Sequence, residues 1–207
     1  VREGVATPDV ALEAARAAQS HIGLARALAR DPQMRERRRA IITAPASVRS
    51  VGEAVMAADR LLETAKAQAD AQVSERNARE KAELMRQLGM DEGESATKAS
   101  RTMIRQLEED QKRRAKRART DVLDRAMIDL LSFYRDVLTT QMGSDVERVN
   151  IDLSDAVDQA ARTTSPEQSL ARIAAIEECR SRLRSNAAPL LAVEALMVQL
   201  RPQAEGR

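Results

Sequence analysis

The chain carries one histidine and one cysteine, the first side chains to weigh for nucleophilic or phosphoryl-transfer chemistry. His21 stands at the start of a predicted helix, followed by Ile22 and Gly23 and with no lysine close by. A phosphorelay or other enzyme centred on His21 is one hypothesis, although these neighbours favour a structural histidine. Cys179 lies on the apolar face of a predicted helix, which favours a small buried hydrophobic residue over a nucleophile.

Other reactive groups are not arranged as an active site. One cysteine excludes a disulfide framework, and one cysteine with one histidine excludes an ordinary zinc site. The sequence contains no P-loop, no GxGxxG segment and no GxSxG segment. Its carboxylates fall on solvated helix faces, without the apolar surroundings that raise a carboxyl pKa. We therefore expect no catalytic residue, no metal and no bound cofactor, and we expect that the chain is not an enzyme.

Basic residues concentrate in two clusters that could neutralise phosphates. The first comprises Arg35 and residues 37–39, and the second comprises Lys112, Arg113, Arg114, Lys116, Arg117 and Arg119. The structural alternative is a solvated helix face paired with the nearby acids at 108–110. An aromatic fraction of 1% leaves no platforms on which single-stranded bases could stack. A helical nucleic-acid-binding adaptor, with Arg113, Arg114 and Arg117 as contacts on a basic hairpin, is the alternative function.

The elements that would position these groups are helices. Hydrophobic residues make up 43% of the 207 residues and charged residues 32%, and the mixture is rich in Ala, Leu, Arg and Glu. Few glycines, few prolines and almost no aromatic residues argue against β-sandwiches and barrels. The composition therefore predicts an all-α fold.

Hydrophobic periodicity and capping signals divide the chain into short helices, two long helices and a terminal bundle. Short helices are predicted at about 8–19 and 22–30, and a third starts at Asp31-Pro32 and ends at Pro45. The terminal bundle is predicted to contain a helix at about 152–162, a helix that starts at Ser165-Pro166 and a last helix that starts near Pro189.

The two long helices lie between these groups. Ser50 and Glu53 have the spacing of a capping box, and no helix breaker follows until Gly89. A second long helix runs from about 96 to 142. Because a short turn at 89–93 joins them, they must form an antiparallel hairpin that covers about 47–142. The apolar seam predicted for the first long helix consists of Val51, Val55, Ala58, Leu62, Ala65 and Ala69.

The last two helices carry the most apolar faces. The helix after Ser165 is expected to bury Leu170, Ile173, Ile176, Cys179 and Leu183. The last helix is apolar almost all round, so we expect it in the middle of the bundle. It also offers more apolar surface than a bundle of this size covers, and exposed apolar patches mark interfaces. The predicted interface with partner proteins consists of Leu190, Leu191, Leu196 and Met197.

Three segments have familiar patterns. Ser20-His21-Ile22-Gly23-Leu24-Ala25-Arg26 is similar to the sensor 2 helix of an AAA+ lid domain. Phe133-Tyr134-Arg135-Asp136-Val137-Leu138 is similar to a collar helix with the pattern YRD, and residues 186–196 match N-x-x-P-x-L-A-x-E-x-L, the pattern of a final collar helix. In this order the three segments resemble the clamp-loader subunits of bacterial DNA polymerase III, which belong to the AAA+ family.

The resemblance implies an architecture. Residues 1–44 would be a partial AAA+ lid, which begins with the end of a helix at Val1-Arg2-Glu3-Gly4 and predicts a longer parent protein. Residues 45–207 would be a collar domain, a helical bundle that includes the long antiparallel hairpin. Arg26 would occupy the position of a nucleotide-sensing arginine, but ATP would bind only with an N-terminal core that lies outside this chain.

The resemblance also implies a function and partners. Collars of this family pack into a ring that holds the clamp loader together. The expected function is that of a structural subunit that helps to load the sliding clamp onto primed DNA during replication. The expected partners are the delta and tau/gamma subunits, the sliding clamp and, indirectly, primed DNA. No apolar run approaches the ~20 residues that span a bilayer, and no signal peptide opens the chain, so a cytoplasmic location is expected.

Overall fold

The computed structural model describes residues 6–89, 98–185 and 188–202. Over these residues the chain is helical and contains no strand, so the all-α prediction is confirmed. The helices are α1 (Pro8–Ala17), α2 (Ile22–Arg30), α3 (Pro32–Ser47), α4 (Val51–Gln87), α5 (Lys98–Gln141), α6 (Ser154–Thr163), α7 (Pro166–Arg184) and α8 (Pro189–Leu200), and a short 3₁₀ turn covers Ile151–Leu153.

Helix starts follow the local signals in the sequence. α1 and α3 each begin with a capping side chain followed by a proline in the first turn. Ser165 and Gln168 form the predicted capping box at the start of α7. At α4 the box is displaced by one residue. Ser50 Oγ accepts from the Glu53 N–H at 3.1 Å, whereas the Glu53 carboxylate accepts from the N–H of Arg49 at 2.7 Å.

The predicted end of the third helix is wrong. α3 continues past Pro45 to Ser47, and the N–H of Val48 closes it by donating to the Pro45 carbonyl at 3.3 Å. Pro45 lies in the last turn, where its missing N–H removes one hydrogen bond without preventing the next residues from staying helical. The domain boundary predicted between residues 44 and 45 therefore lies inside a continuous helix.

The chain forms two compact units. The bundle unit comprises Val1–Leu61 and Asp124–Arg207, and the hairpin unit comprises Leu62–Leu123. Residues of the predicted lid and of the predicted collar thus share the bundle unit. In it α1 packs against α2, and α7 packs against α8. Its most buried apolar side chains include Ile42, Met127, Leu130, Val137, Val157, Ile176, Val193, Leu196, Met197 and Leu200.

The hairpin unit contains antiparallel segments of α4 and α5, as the short connection predicts. Arg119 donates to the Asp70 carboxylate at 3.0 and 3.2 Å, and Arg114 donates to Glu80 at 2.8 Å. Later positions on α4 therefore pair with earlier positions on α5, which is the register of an antiparallel pair. Gly89 follows α4 with a φ of 63°, a conformation that favours glycine. The remainder of the predicted turn, residues 90–93, lies outside the described residues.

The apolar seam of α4 differs from the prediction at its start and at one later position, where Leu61 is buried and the predicted Leu62 is half-buried. Val51 and Val55 are 52% and 40% exposed, and Ala54 is fully buried instead. Spacing alone does not decide whether an alanine or a neighbouring valine faces inward, because both belong to acceptable helical stripes. The buried residues of α4 are Ala54, Ala57, Ala58, Leu61, Ala65 and Ala69.

The buried face of α7 also differs at one edge. Ile176 and Cys179 are buried as predicted, whereas Leu170 is 54% exposed. Arg172, which is not among the residues predicted to be buried, is only 8% exposed. Steps of four and three residues place Arg172, Ile176 and Cys179 on one face of the helix. The inward face of α7 therefore carries a guanidinium group.

Candidate functional site

Arg38 is the centre of a buried polar network in the bundle unit. Its side chain is 6% exposed, its Nε donates to Asp129 Oδ1 at 3.2 Å, and its Nη2 bonds to the side-chain oxygen of Asn150. Arg125 donates both to Asp129 and to the backbone carbonyl of Ala17, each at 2.7 Å. These bonds connect α1, α3, α5 and the chain just before the 3₁₀ turn.

Asp136 anchors the same chain segment from α5. It is 1% exposed and accepts from the backbone N–H groups of Val149 and Asn150, at 3.1 and 2.8 Å. The Asn150 side-chain amide donates to the same carboxylate at 2.8 Å. Asp136 is the acidic residue of the Tyr134-Arg135-Asp136 segment. Because amide donors occupy its oxygens, it is placed as a structural anchor and not as a free general base.

The first basic cluster is occupied by contacts within the bundle unit. Arg35 donates to the last carbonyl groups of α2, at 2.6 and 3.2 Å. Arg37 pairs with Asp31 at 3.2 Å, and Arg39 pairs with Asp152 at 3.8 Å. Together with the burial of Arg38, these contacts favour the structural interpretation of this cluster over phosphate binding.

His21 is the N-cap of α2. Its Nδ1 accepts from the backbone N–H of Leu24 at 3.0 Å, so the imidazole takes the place that Ser, Thr or Asp usually fills. Arg26 is exposed in the second turn of the same helix. The segment that resembles a sensor 2 helix is thus a capped helix start, and the nucleotide-sensing role of Arg26 stays a prediction.

Replacing His21 with alanine is expected to lower the free energy of unfolding by about 1 kcal/mol, because the Leu24 N–H loses its acceptor. His21→Asn supplies a short side-chain acceptor and is expected to retain most of this stability. Urea denaturation followed by circular dichroism measures both variants. An asparagine variant as unstable as the alanine variant would count against the capping role. A phosphotransfer activity abolished by His21→Ala would revive the phosphorelay hypothesis.

The second basic cluster, in the hairpin unit, is only partly paired. Arg114 bonds to Glu80 at 2.8 Å across the two helices, and Arg113 pairs with Asp110 one turn earlier on α5. Arg117 is exposed and makes no hydrogen bond or ion pair with any other residue that the structure describes. Of the three arginines predicted to contact nucleic acid, Arg113 and Arg117 are exposed, whereas Arg114 joins the two helices of the hairpin.

Glu80 makes the hairpin unit sensitive to acid. The hydrogen bonds from Arg114 and Arg76 hold the pKa of Glu80 at about 2, below its ordinary value of 4.5. Between these values the unfolded chain binds a proton that the folded chain does not bind. The contribution of Glu80 to stability is therefore present above pH 4.5 and is lost as the pH falls towards 2.

We expect Glu80→Gln to flatten the pH dependence of thermal unfolding in this window, measured by circular dichroism across a pH series. Glu75→Gln is the matched control, since Glu75 pairs with Arg79 on the surface of α4 and not across the hairpin. A pH profile that Glu80→Gln leaves unchanged, or that the control alters equally, would contradict the assignment.

Cys179 lies in the core of the bundle unit. It is 3% exposed, and its thiol donates to the backbone carbonyl of Ala192 at 3.5 Å. Burial raises the pKa of the thiol from 9.0 to about 11. The thiolate that nucleophilic attack requires is therefore scarce at neutral pH, and the environment is that of a structural cysteine.

α8 divides its apolar residues between the core and the surface. Leu196 and Met197 are 2% and 1% exposed, whereas Leu190 and Leu191, in the first turn, are 42% and 66% exposed. This corrects the predicted interface, because packing of α8 inside the bundle unit places Leu196 and Met197 out of a partner's reach. Asn186 and Ala187, which open the third resembling segment, lie outside the described residues.

A cleft of about 410 Å³ opens in the bundle unit among α3, α5, α6, α7 and the end of α8. Tyr134 and Arg172 line it, and the Arg172 guanidinium carbon lies 5.5 Å from the centroid of the Tyr134 ring. Phe133 meets this ring edge to face, with centroids 5.4 Å apart. Burial raises the pKa of the Tyr134 hydroxyl, and the positive charge of Arg172 partly opposes that increase.

Two arginines of these sites were not singled out by the sequence. Arg38 stands among similar arginines, and its carboxylate partner lies 91 residues away, so no local pattern distinguishes it. For Arg172 a signal exists. It lies four residues before Ile176 and seven before Cys179, so helical spacing alone places a charged residue on the buried face.

In comparisons with known proteins, no family model, no curated protein and no solved structure matches this chain. Among the described residues, no helix is both long and apolar enough to cross a membrane. The same part of the chain contains no group of three or more His, Cys, Asp or Glu side chains that could hold a metal ion. The exposed leucines, the partly paired basic cluster and the cleft are the features from which function is inferred.

Proposed function

We propose that this chain is part of a clamp-loader subunit of bacterial DNA polymerase III, of the delta-prime type. In this role it carries no chemistry of its own. It packs through its terminal helices against the delta and tau/gamma subunits and so helps to load the sliding clamp onto primed DNA. The observation that carries the proposal is the exposed pair Leu190 and Leu191 at the start of α8.

This pair has the position expected of an interface. The rest of α8 contributes Val193, Leu196 and Met197 to the core, so a partner that covers the first turn extends an existing core. The two leucines are adjacent on a helix anchored by that core, which limits the side-chain and backbone entropy that binding must remove. Apolar residues in such a rigid setting are suited to subunit assembly.

Size-exclusion chromatography with light scattering tests the proposal on the chain mixed with delta and tau/gamma subunits. The chain is expected to co-elute with them. Leu190→Asp combined with Leu191→Asp is expected to weaken this association by about 30-fold or more, the effect of losing an interface hot spot. Leu170→Asp is the matched control, because Leu170 is exposed on α7 outside the predicted interface. If the chain without substitutions does not associate with either subunit, the proposal is refuted.

One observation supports the alternative adaptor function. Arg117 is exposed and has no hydrogen-bond or ion-pair partner among the described residues. Arg113 lies four residues earlier, so both side chains fall on one face of α5. Charge reversal of Arg114 would also break its contact with Glu80, so the informative variant reverses only Arg113 and Arg117.

Duplex DNA affinity measured over a salt series separates the two functions. In the adaptor, Arg113→Glu with Arg117→Glu weakens binding and lowers the salt slope by about 2, one unit for each lost phosphate contact. Arg79→Glu is the control on α4, where Arg79 is exposed and paired with Glu75. If the chain without substitutions does not bind DNA, or binds it with an affinity that does not depend on salt, the adaptor function is excluded. The clamp-loader proposal is unaffected by that result.

A further inference from the structure

Arg172 is a buried cation that has no anionic partner among the described residues. It is 8% exposed, and within the described ranges it makes no hydrogen bond or ion pair. The other buried arginine of the bundle unit, Arg38, has its guanidinium bonded to Asp129 and Asn150. The face of the Tyr134 ring attracts the Arg172 cation and so compensates part of its lost hydration. The ring does not provide the oxygen acceptors that an anion would offer to the N–H groups. None of the Arg172 nitrogens is among the fully buried atoms of the described residues that lack a partner, so its N–H groups open into the cleft and are available to a ligand.

The cleft that Arg172 lines is positive at one part of its wall and apolar at another. A second arginine, Arg49, also lines it, and no Asp or Glu is found among the described residues of its wall. The side-chain amides of Gln159 and Gln168 add N–H donors, and Ile42, Phe133 and Leu200 supply apolar surface. An anion in this cleft meets positive charge and no competing carboxylate from the described part of the wall.

We infer that the cleft binds a small organic anion, a carboxylate or a phosphate monoester with a short apolar body. The planar guanidinium of Arg172 presents paired N–H donors that match either headgroup. The apolar body lies against the side of the cleft formed by Ile42, Phe133 and Leu200. A volume of about 410 Å³ is within the range of small-molecule pockets. This inference stands apart from the clamp-loader proposal, because neither clefts nor ligands enter that proposal.

Tyr134 provides a direct readout of binding. The chain has one tyrosine and no tryptophan, so its tyrosine fluorescence reports on the cleft alone. Hexanoate and monobutyl phosphate are suitable probes because neither absorbs where tyrosine does. Each is expected to change the fluorescence saturably and to raise the thermal unfolding temperature. The stronger of the two identifies the preferred headgroup.

Two control compounds test separately the recognition of the anionic headgroup and of the apolar body. 1-Hexanol lacks the anion, and inorganic phosphate lacks the apolar body. Each is expected to bind about tenfold or more weakly than its matched probe. Equal binding of hexanol would overturn the anionic part of the inference, and equal binding of inorganic phosphate would overturn the apolar part.

Arg172→Gln is expected to weaken binding of both probes by about tenfold to a hundredfold. Arg182→Gln is the matched control, since Arg182 is on the same helix but pairs with Glu178 at the surface. Arg172→Lys retains the charge without the paired donors and gives the same test if the glutamine variant does not fold. Absence of a saturable response to either probe, or affinities unchanged in the Arg172 variants, would overturn the inference. Binding of an acidic peptide in place of both probes would overturn it as well and assign the cleft to a protein partner.

Discussion

Replacing Arg38 with methionine is expected to lower the free energy of unfolding by about 3–5 kcal/mol, the usual cost of removing one member of a buried ion pair. The substitution leaves the Asp129 carboxylate, 5% exposed, with Arg125 as its remaining partner, and leaves the Asn150 side-chain oxygen without the guanidinium. Methionine fills a similar volume, so the loss measures the missing hydrogen bonds and charge more than a cavity. Chemical denaturation monitored by circular dichroism gives the value.

The neighbouring arginines are the controls for Arg38. Arg37 and Arg39 belong to the same basic cluster, but their side chains are 38% and 47% exposed. Methionine at either position is expected to cost no more than about 1 kcal/mol, the range of exposed ion pairs. Arg38→Met combined with Asp129→Leu removes both charges and is expected to recover part of the lost stability. Equal losses at all three arginines would show that burial does not distinguish Arg38.

Replacing Asp136 with alanine is the second change with a large expected effect, a loss of about 3 kcal/mol or more. The two backbone N–H groups of residues 149 and 150 and the Asn150 side-chain amide would lose their acceptor, and an unsatisfied buried donor costs about 1–3 kcal/mol. The three losses are not additive, since they share one carboxylate and one chain segment.

Asp136→Asn separates charge from acceptor number. Its amide keeps one acceptor oxygen and adds donors where the native structure supplies only donors, so we expect an intermediate loss. Arg135→Ala, at a side chain 49% exposed, changes the adjacent residue of the same segment and is expected to cost less than about 1 kcal/mol. A larger loss at Arg135 than at Asp136 would contradict the anchoring role.

These two predictions bear on the interpretation of the Tyr134-Arg135-Asp136 segment. In the structure Tyr134 lines the cleft, Asp136 holds residues 149–150, and Arg135 is half-exposed. The segment therefore contributes to the stability of the bundle unit. The clamp-loader proposal depends instead on Leu190 and Leu191, and its test does not require the buried network to change.

The helices and most of their ends could be predicted from the sequence because the forces that define them act over a few residues. Ser165 and Gln168, three residues apart, form the capping box of α7, and Asp31 followed by a proline marks the start of α3. The antiparallel hairpin also followed from a local fact, the short connection between two long helices. The predicted helix end at Pro45 is wrong because a proline in the final turn removes only one hydrogen bond, and the helix continues to Ser47.

The contacts of the side chains could be identified only from the tertiary structure. Periodicity marked Leu190 and Leu196 as equally apolar, and only the packing of α8 decided that one is exposed and the other is core. Arg38 and Arg117 are both members of arginine-rich stretches, yet one is buried against a carboxylate 91 residues away and the other is exposed. Local hydrogen bonding and helical spacing are determined by residues that are close in the sequence. The burial and pairing of a charge depend on which distant segment lies against it, and that is determined only when the helices pack.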